Sequence, residues 1–245
     1  MEDYVYDVSN QDRWWWILGR RALVTSLWSQ YGKNRVSAVI LDIGCGPGPI
    51  LEELARFGAV HGVDISKAAV SYCHERGLDS VTLGDASALP YRDERFDLVI
   101  SIDVLEHVDD DMSALTETYR VCRRGGTLIA TVPAFNFLWS RRDEQLHHKR
   151  RYSLEQFRSK VSRAGFKVIR ATYINMPLFV PLFLMIKTGQ LSSRKAPSLK
   201  MDYALVPPPL NRILARVVEY EARLLSHTNL PIGSSIACVS VKPEK

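Results

Sequence analysis

Two groups of residues in this chain could do chemistry. The first is Asp42, Gly44, Cys45, Gly46 and Gly48, which follow directly on the apolar run from Ala38 to Leu41. A glycine turn at the end of a buried strand lets a nucleotide-like ligand approach bare backbone. The next stretch, Pro49 to Phe57, carries apolar positions at helical spacing, so the segment reads as strand, turn and helix. Acids close two further strand-like runs. Asp64 follows Val60 to Val63, about twenty residues beyond the turn, where a carboxylate can accept both hydroxyls of a ribose; Asp85 follows Val81 to Leu83. The second group is three histidines, His107, His147 and His148. Histidine titrates nearest working pH and can serve as general base toward a hydroxyl nucleophile. On a helix, Asp143 and His147 would share a face and the carboxylate would orient the imidazole; a coil through 139–152 is the equal alternative.

Glycine spacing separates the families that use such turns. The dinucleotide fingerprint wants a third glycine five residues after the first, and Pro49 occupies that position. The pattern Asp-x-Gly-x-Gly-x-Gly instead resembles the first motif of class I S-adenosylmethionine-dependent methyltransferases. Asp64, Asp85 and the segment Ile102 to Val108 after the fourth strand extend the resemblance in order. The resemblance implies S-adenosyl-L-methionine as cofactor, with the turn of Gly44, Cys45 and Gly46 passing under it and Asp42 near its amino-acid portion. It places Asp64 at the ribose, with Ile65 also at the cofactor. Asp85 would accept from the adenine amino group while the Ala86 amide meets the ring, and Ile102 and Asp103 would flank the methionine portion. Arg20 or Arg21, on an N-terminal helix, is the candidate partner of the methionine carboxylate.

Length and composition fit one compact enzyme domain. A chain of 245 residues with 46% hydrophobic content can bury a full α/β core. The expected fold is α/β: a doubly wound, mostly parallel seven-stranded sheet with an antiparallel final strand. An N-terminal helical arm (1–36) precedes a cofactor-binding core (37–175), an inserted helical cap or oligomer contact (176–231), and a final strand and tail (232–245). Strands are expected near 95–101, 126–132, 166–173 and 235–241 besides the first three. Ser153 and Gln156 form a capping box at a helix start, and Gly125 and Gly126 suit a helix C-cap. Within the insertion, Pro177 and Pro181 disfavour a regular spanning helix, Ser192 to Pro197 reads as a loop, and Leu210 to Leu225 reads as amphipathic.

Four isolated cysteines lack any Cys-x-x-Cys spacing, so neither a metal site nor a disulfide framework is expected, and a reducing cytoplasm fits. The charge of +5 is modest and its basic cluster, Arg141 to Arg151, is local, which argues against nucleic acid. The expected partner is a small or medium-sized acceptor, partly apolar and anionic or lipid-like. O-methylation is slightly favoured over N- or C-methylation. The apolar insertion flanked by Lys187, Arg194 and Lys195 leaves peripheral membrane contact open, and a homodimer is compatible. The competing classes are a noncatalytic S-adenosylmethionine-binding partner protein and another nucleotide-binding α/β enzyme.

Overall fold

A computed structural model describes residues 14–32, 37–188 and 206–244. Helix α1 (Trp15–Tyr31) leads into β1 (Ala38–Ile43), α2 (Pro49–Leu54), β2 (Gly58–Asp64), α3 (Lys67–Glu75), β3 (Val81–Leu83) and β4 (Phe96–Ile102). Then come α4 (Asp111–Val121), β5 (Cys122–Pro133), α5 (Arg141–Gln145), α6 (Leu154–Arg163), β6 (Lys167–Ile174), α7 (Met176–Lys187), α8 (Pro208–Leu224) and β7 (Ser235–Val241). The strands form one sheet in the order β3-β2-β1-β4-β5-β7-β6. The first five are parallel, and β7 enters antiparallel between β5 and β6.

Strand order reverses between β1 and β4, which opens a crevice at their carboxyl ends, where sheets of this kind bind ligands. Register sets what meets there: Ile43 pairs with Ser101 and Ile102 with Thr131, so Gly44, Asp103 and the end of β5 leave the sheet together. Strand side chains alternate between two helical layers. Leu41, Ile43, Val99, Leu128 and Ala130 face Leu115, Phe157 and Val161 of α4 and α6. Ala38, Ile40, Leu98, Ile100 and Ile129 face Leu23, Val24 and Leu27 of α1 and Ala222 of α8.

Helix α8, part of the expected insertion, has Ala215, Val218 and Ala222 buried and lies against α1 in the sheet-covering layer. Gly19 permits this approach, since a Cβ there would stand 2.7 Å from Val218 Cγ2. Gly125 and Gly126 do not cap α4, which ends at Val121, and the chain is already extended at Cys122. Helix α7 forms despite its prolines, with Pro177 in the first turn, where an N–H has no partner to lose. Its start is closed by Glu221 of α8, whose carboxylate accepts from the amides of Asn175 (2.5 Å) and Met176 (2.7 Å). No helix among the described residues is long and apolar enough to cross a membrane. The Ser192 to Pro197 loop, with Arg194 and Lys195, and the first 13 residues of the N-terminal arm lie outside the described residues.

Candidate active site

The glycine turn sits on β2. The amides of Gly44 and Cys45 donate to Val63 O (2.8 and 3.2 Å), and that of Gly46 donates to Asp64 Oδ2 (2.8 Å). Gly44 and Gly46 hold left-handed φ angles of 68° and 52°, which a side chain strains. A Cβ on Gly44 would strike Val104 at 2.5 Å, whereas one on Gly46 would meet nothing within 4 Å. The turn therefore presents backbone to open space at Gly46, a cradle that a cofactor can fill. Gly48 is different, because a Cβ there would run into Leu78 at 2.6 Å, which makes it a packing position.

Asp64 closes β2, and its other oxygen accepts from the Ser66 amide at 2.8 Å, at the start of α3. One carboxylate thus joins the glycine turn to the next helix, and burial raises its pKa. Ile65 beside it is 52% exposed. Asp42 lies beneath, 2% exposed, with Oδ2 lacking any hydrogen-bond partner. Burial first, then the Asp64 charge, pushes its carboxyl well above the usual range. Asp85 is exposed at the β3 end, accepting from the Ser87 amide at 2.7 Å, and Ala86 follows half-buried.

Across the crevice, Ile102 ends β4 and Asp103 takes a left-handed φ of 55°, the kind of backbone strain that surrounding bonds must hold. Thr131 Oγ1 donates to its Oδ1 (2.8 Å), and Arg20 grips it with Nε (2.9 Å) and Nη2 (3.2 Å). Two nitrogens of Arg20 are thus engaged by Asp103.

The histidines fall into place differently from the expected pairing. Helix α5 stops at Gln145 and His147 is exposed with a φ of 56°, so it leaves the face that Asp143 occupies. The partner of Asp143 is His148, whose Nδ1 lies 2.9 Å from Oδ1. Arg151 donates to both Asp143 oxygens, from Nε (2.7 Å) and Nη2 (3.1 Å). Burial alone would raise the Asp143 pKa, but the bonds from His148 and Arg151 outweigh it and hold the group at about 2. His107 stands edge-on to His148, ring centroids 4.8 Å apart, and burial together with His148 pushes its pKa down to about 4. The Lys149 amide donates to Glu106 O (2.8 Å), which binds the two segments together. Glu106 and Thr131 are site residues to which the sequence assigns no role, and Arg151 enters there only as part of the basic cluster. Glu106 carried one signal, its adjacency to His107, and Thr131 none.

Next to this cluster the loop after β5 shapes two surfaces. A groove of about 500 Å³ is lined by Trp139, Lys149, Arg150, Arg151, Tyr152 and Lys160 among others. Beyond it Phe135 stacks on Phe137 and on Tyr173 (4.9 Å each), and Phe179 of α7 stacks on Phe183 (6.3 Å). Phe137 remains 57% exposed, so the aromatic shelf keeps an open face.

Known proteins resemble this chain in part of its sequence and in its fold. A family model described as a methyltransferase domain matches residues 41–130. A ubiquinone biosynthesis O-methyltransferase from Ruegeria sp. (strain TM1040) is 38% identical over 98 residues, which are 38% of this chain and 40% of that protein. The chain spans less than half the length of the ubiquinone-biosynthesis relatives it matches. In fold it is similar to a protein from Galdieria sulphuraria provisionally named a sarcosine dimethylglycine methyltransferase, with a TM-score of 0.63, 18% identity, and coverage of 93% of this chain and 87% of that one. It is also similar to Haemonchus contortus phosphoethanolamine N-methyltransferase 2 solved with S-adenosyl-L-methionine, with a TM-score of 0.60, 22% identity, and coverage of 99% and 60%.

Proposed function

We propose that this chain is a class I S-adenosylmethionine-dependent methyltransferase, a reading its methyltransferase-domain match supports, and that it methylates a hydroxyl of a small or medium-sized, partly apolar, anionic acceptor. The observation that carries the hydroxyl reading is the Asp143–His148 pair beside His107. S-adenosyl-L-methionine, when bound, supplies a methyl group on a sulfonium, which is a good leaving group. The chain's own part is positioning and proton handling. The open face of Gly46 and the exposed Ile65 fit a cofactor lying over the β1 and β2 ends. Asp64 would hold the ribose, Asp85 and the Ala86 amide the adenine, and Ile102 and Asp103 the methionine end, with Arg20 keeping Asp103 in its strained pose. His148, its Nδ1 occupied by Asp143, has Nε2 left to receive the hydroxyl proton. The basic groove supports an anionic group on the acceptor, and the aromatic shelf supports an apolar body.

A panel of acceptors, scored by S-adenosylhomocysteine formed, tests this reading. Anionic aromatic or lipid-like alcohols should turn over. His148→Ala should lower kcat by on the order of a hundredfold, and His147→Ala should leave it nearly unchanged. Methylation confined to polar cationic amines, or full turnover by His148→Ala, would overturn it.

A further inference from the structure

We propose that Glu106, His107 and His148 form a binding site for a divalent transition-metal ion, with zinc as its representative, at the acceptor end of the crevice. For the ion's role this rests on the methyl-transfer reading; for its binding it does not.

The three residues each bring one ligand-type atom to within 4.8 Å of the other two. Ligand bonds of about 2.0–2.2 Å put donor atoms roughly 3–4 Å apart, so small side-chain adjustments would close the site. Glu106 is 1% exposed and its Oε2 has no hydrogen-bond partner. A buried carboxylate in that state is costly unless something compensates it. Its charged neighbours are already matched: Arg20 is paired with Asp103 and Arg151 with Asp143. Glu106 itself makes no ion pair among the described residues, and the two imidazoles lie beside it.

The surroundings are those of a metal-bound histidine. His148 has one ring nitrogen on the Asp143 carboxylate, which fixes the ring and leaves the other nitrogen as ligand, the arrangement that orients and strengthens imidazole ligands. Asp143 is in turn locked by Arg151. Backbone bonds pin the ligand segments, His107 N to Val104 O (2.9 Å) and His148 N to Asp143 O (2.8 Å). Two imidazoles and one carboxylate suit zinc and its neighbours, and three protein ligands leave a coordination position open, as catalytic sites do. With the ion bound, an acceptor oxygen coordinated there would lose its proton to water, and His148 Nε2 would serve as ligand in place of the free-base role it has without the ion. Ion, Glu106 and deprotonated oxygen then sum to zero charge.

The experiment is titration of the full chain, freed of metal by chelation, with Zn²⁺ alone, beside a Co²⁺ titration followed by visible absorption. The expected result is one equivalent bound, a Co²⁺ spectrum of mixed nitrogen and oxygen ligands, at least tenfold weaker binding in Glu106→Gln, His107→Ala and His148→Ala, and about tenfold weaker binding in Asp143→Asn. Absence of binding, or equal binding by the variants, would overturn the site. The Co²⁺ spectrum of the unaltered chain decides the matter should a variant misfold, since a spectrum without nitrogen ligands also refutes it. Parallel S-adenosylmethionine titration separates the two readings: cofactor binding without metal binding removes this inference alone, and metal binding without cofactor binding removes the methyl-transfer reading. Full turnover after chelation would return His148 to the role of free base.

Discussion

Asp42 and Asp143 are buried to nearly the same degree, 2% and 1% exposed, and their surroundings push them in opposite directions. Asp143 receives bonds from His148 and Arg151 and titrates at about 2 in the fold. A depressed pKa contributes stability that is present above the ordinary carboxylate value and lost as pH falls through the folded one. Chemical denaturation of the wild type should therefore show a loss of unfolding free energy between about pH 4 and pH 2 that Asp143→Asn lacks. Asp42 has an oxygen without a partner and a raised pKa, so the fold favours its protonated form. That contribution is favourable at low pH and disappears as pH rises. Asp42→Asn should match the wild type below about pH 4 and be the more stable protein at pH 7; equal stability at both pH values would contradict the assignment. Asp42 was readable from the sequence because it abuts the glycine turn. The His148 partnership was not, since helical spacing favoured His147 and nothing in the sequence announced that α5 would end after five residues.

At the scale of elements, the glycine turn offers a clean separation of fold from function. Gly46→Ala adds a methyl group that meets nothing within 4 Å, so its cost is the left-handed backbone alone, about 1 kcal/mol. Thermal unfolding should shift by a few degrees, while S-adenosylmethionine affinity should fall at least tenfold if the cofactor lies on that backbone. Unchanged affinity would remove the turn from the site. Helix α7 depends on α8 through Glu221. Glu221→Ala leaves two buried-side amides without an acceptor, a loss of about 1–3 kcal/mol, and hydrogen exchange across 175–187 should quicken while β1 and β4 stay protected. The α6 capping box at Ser153 and Gln156 and the seventh strand at 235–241 were legible to the residue, because cap chemistry and alternation are local signals. The placement of α8 was not. Its amphipathic stripe required a buried face but could not name α1 as the surface, and Gly19, the residue that admits it, carried no such label.

Over the whole molecule, the order β3-β2-β1-β4-β5-β7-β6 gathers the turn, the strand-end acids and the histidine cluster at one end of the sheet. The parallel half was legible as alternating apolar runs and helices, each closed by an acid or a glycine. The cluster of Glu106, His107 and His148 was hidden, since its members come from two segments about forty residues apart that the fold joins through bonds such as the Lys149 amide to Glu106 O and Tyr152 OH to Leu105 O. The central claim is a cofactor site built from the β1 and β2 ends. Calorimetric titration of the full chain with S-adenosyl-L-methionine, repeated on Asp64→Ala, tests it most directly. The account predicts one molecule bound per chain with micromolar affinity or better (about −8 kcal/mol), lost in a variant that still folds; no binding by the wild type, or equal binding by Asp64→Ala, would contradict it.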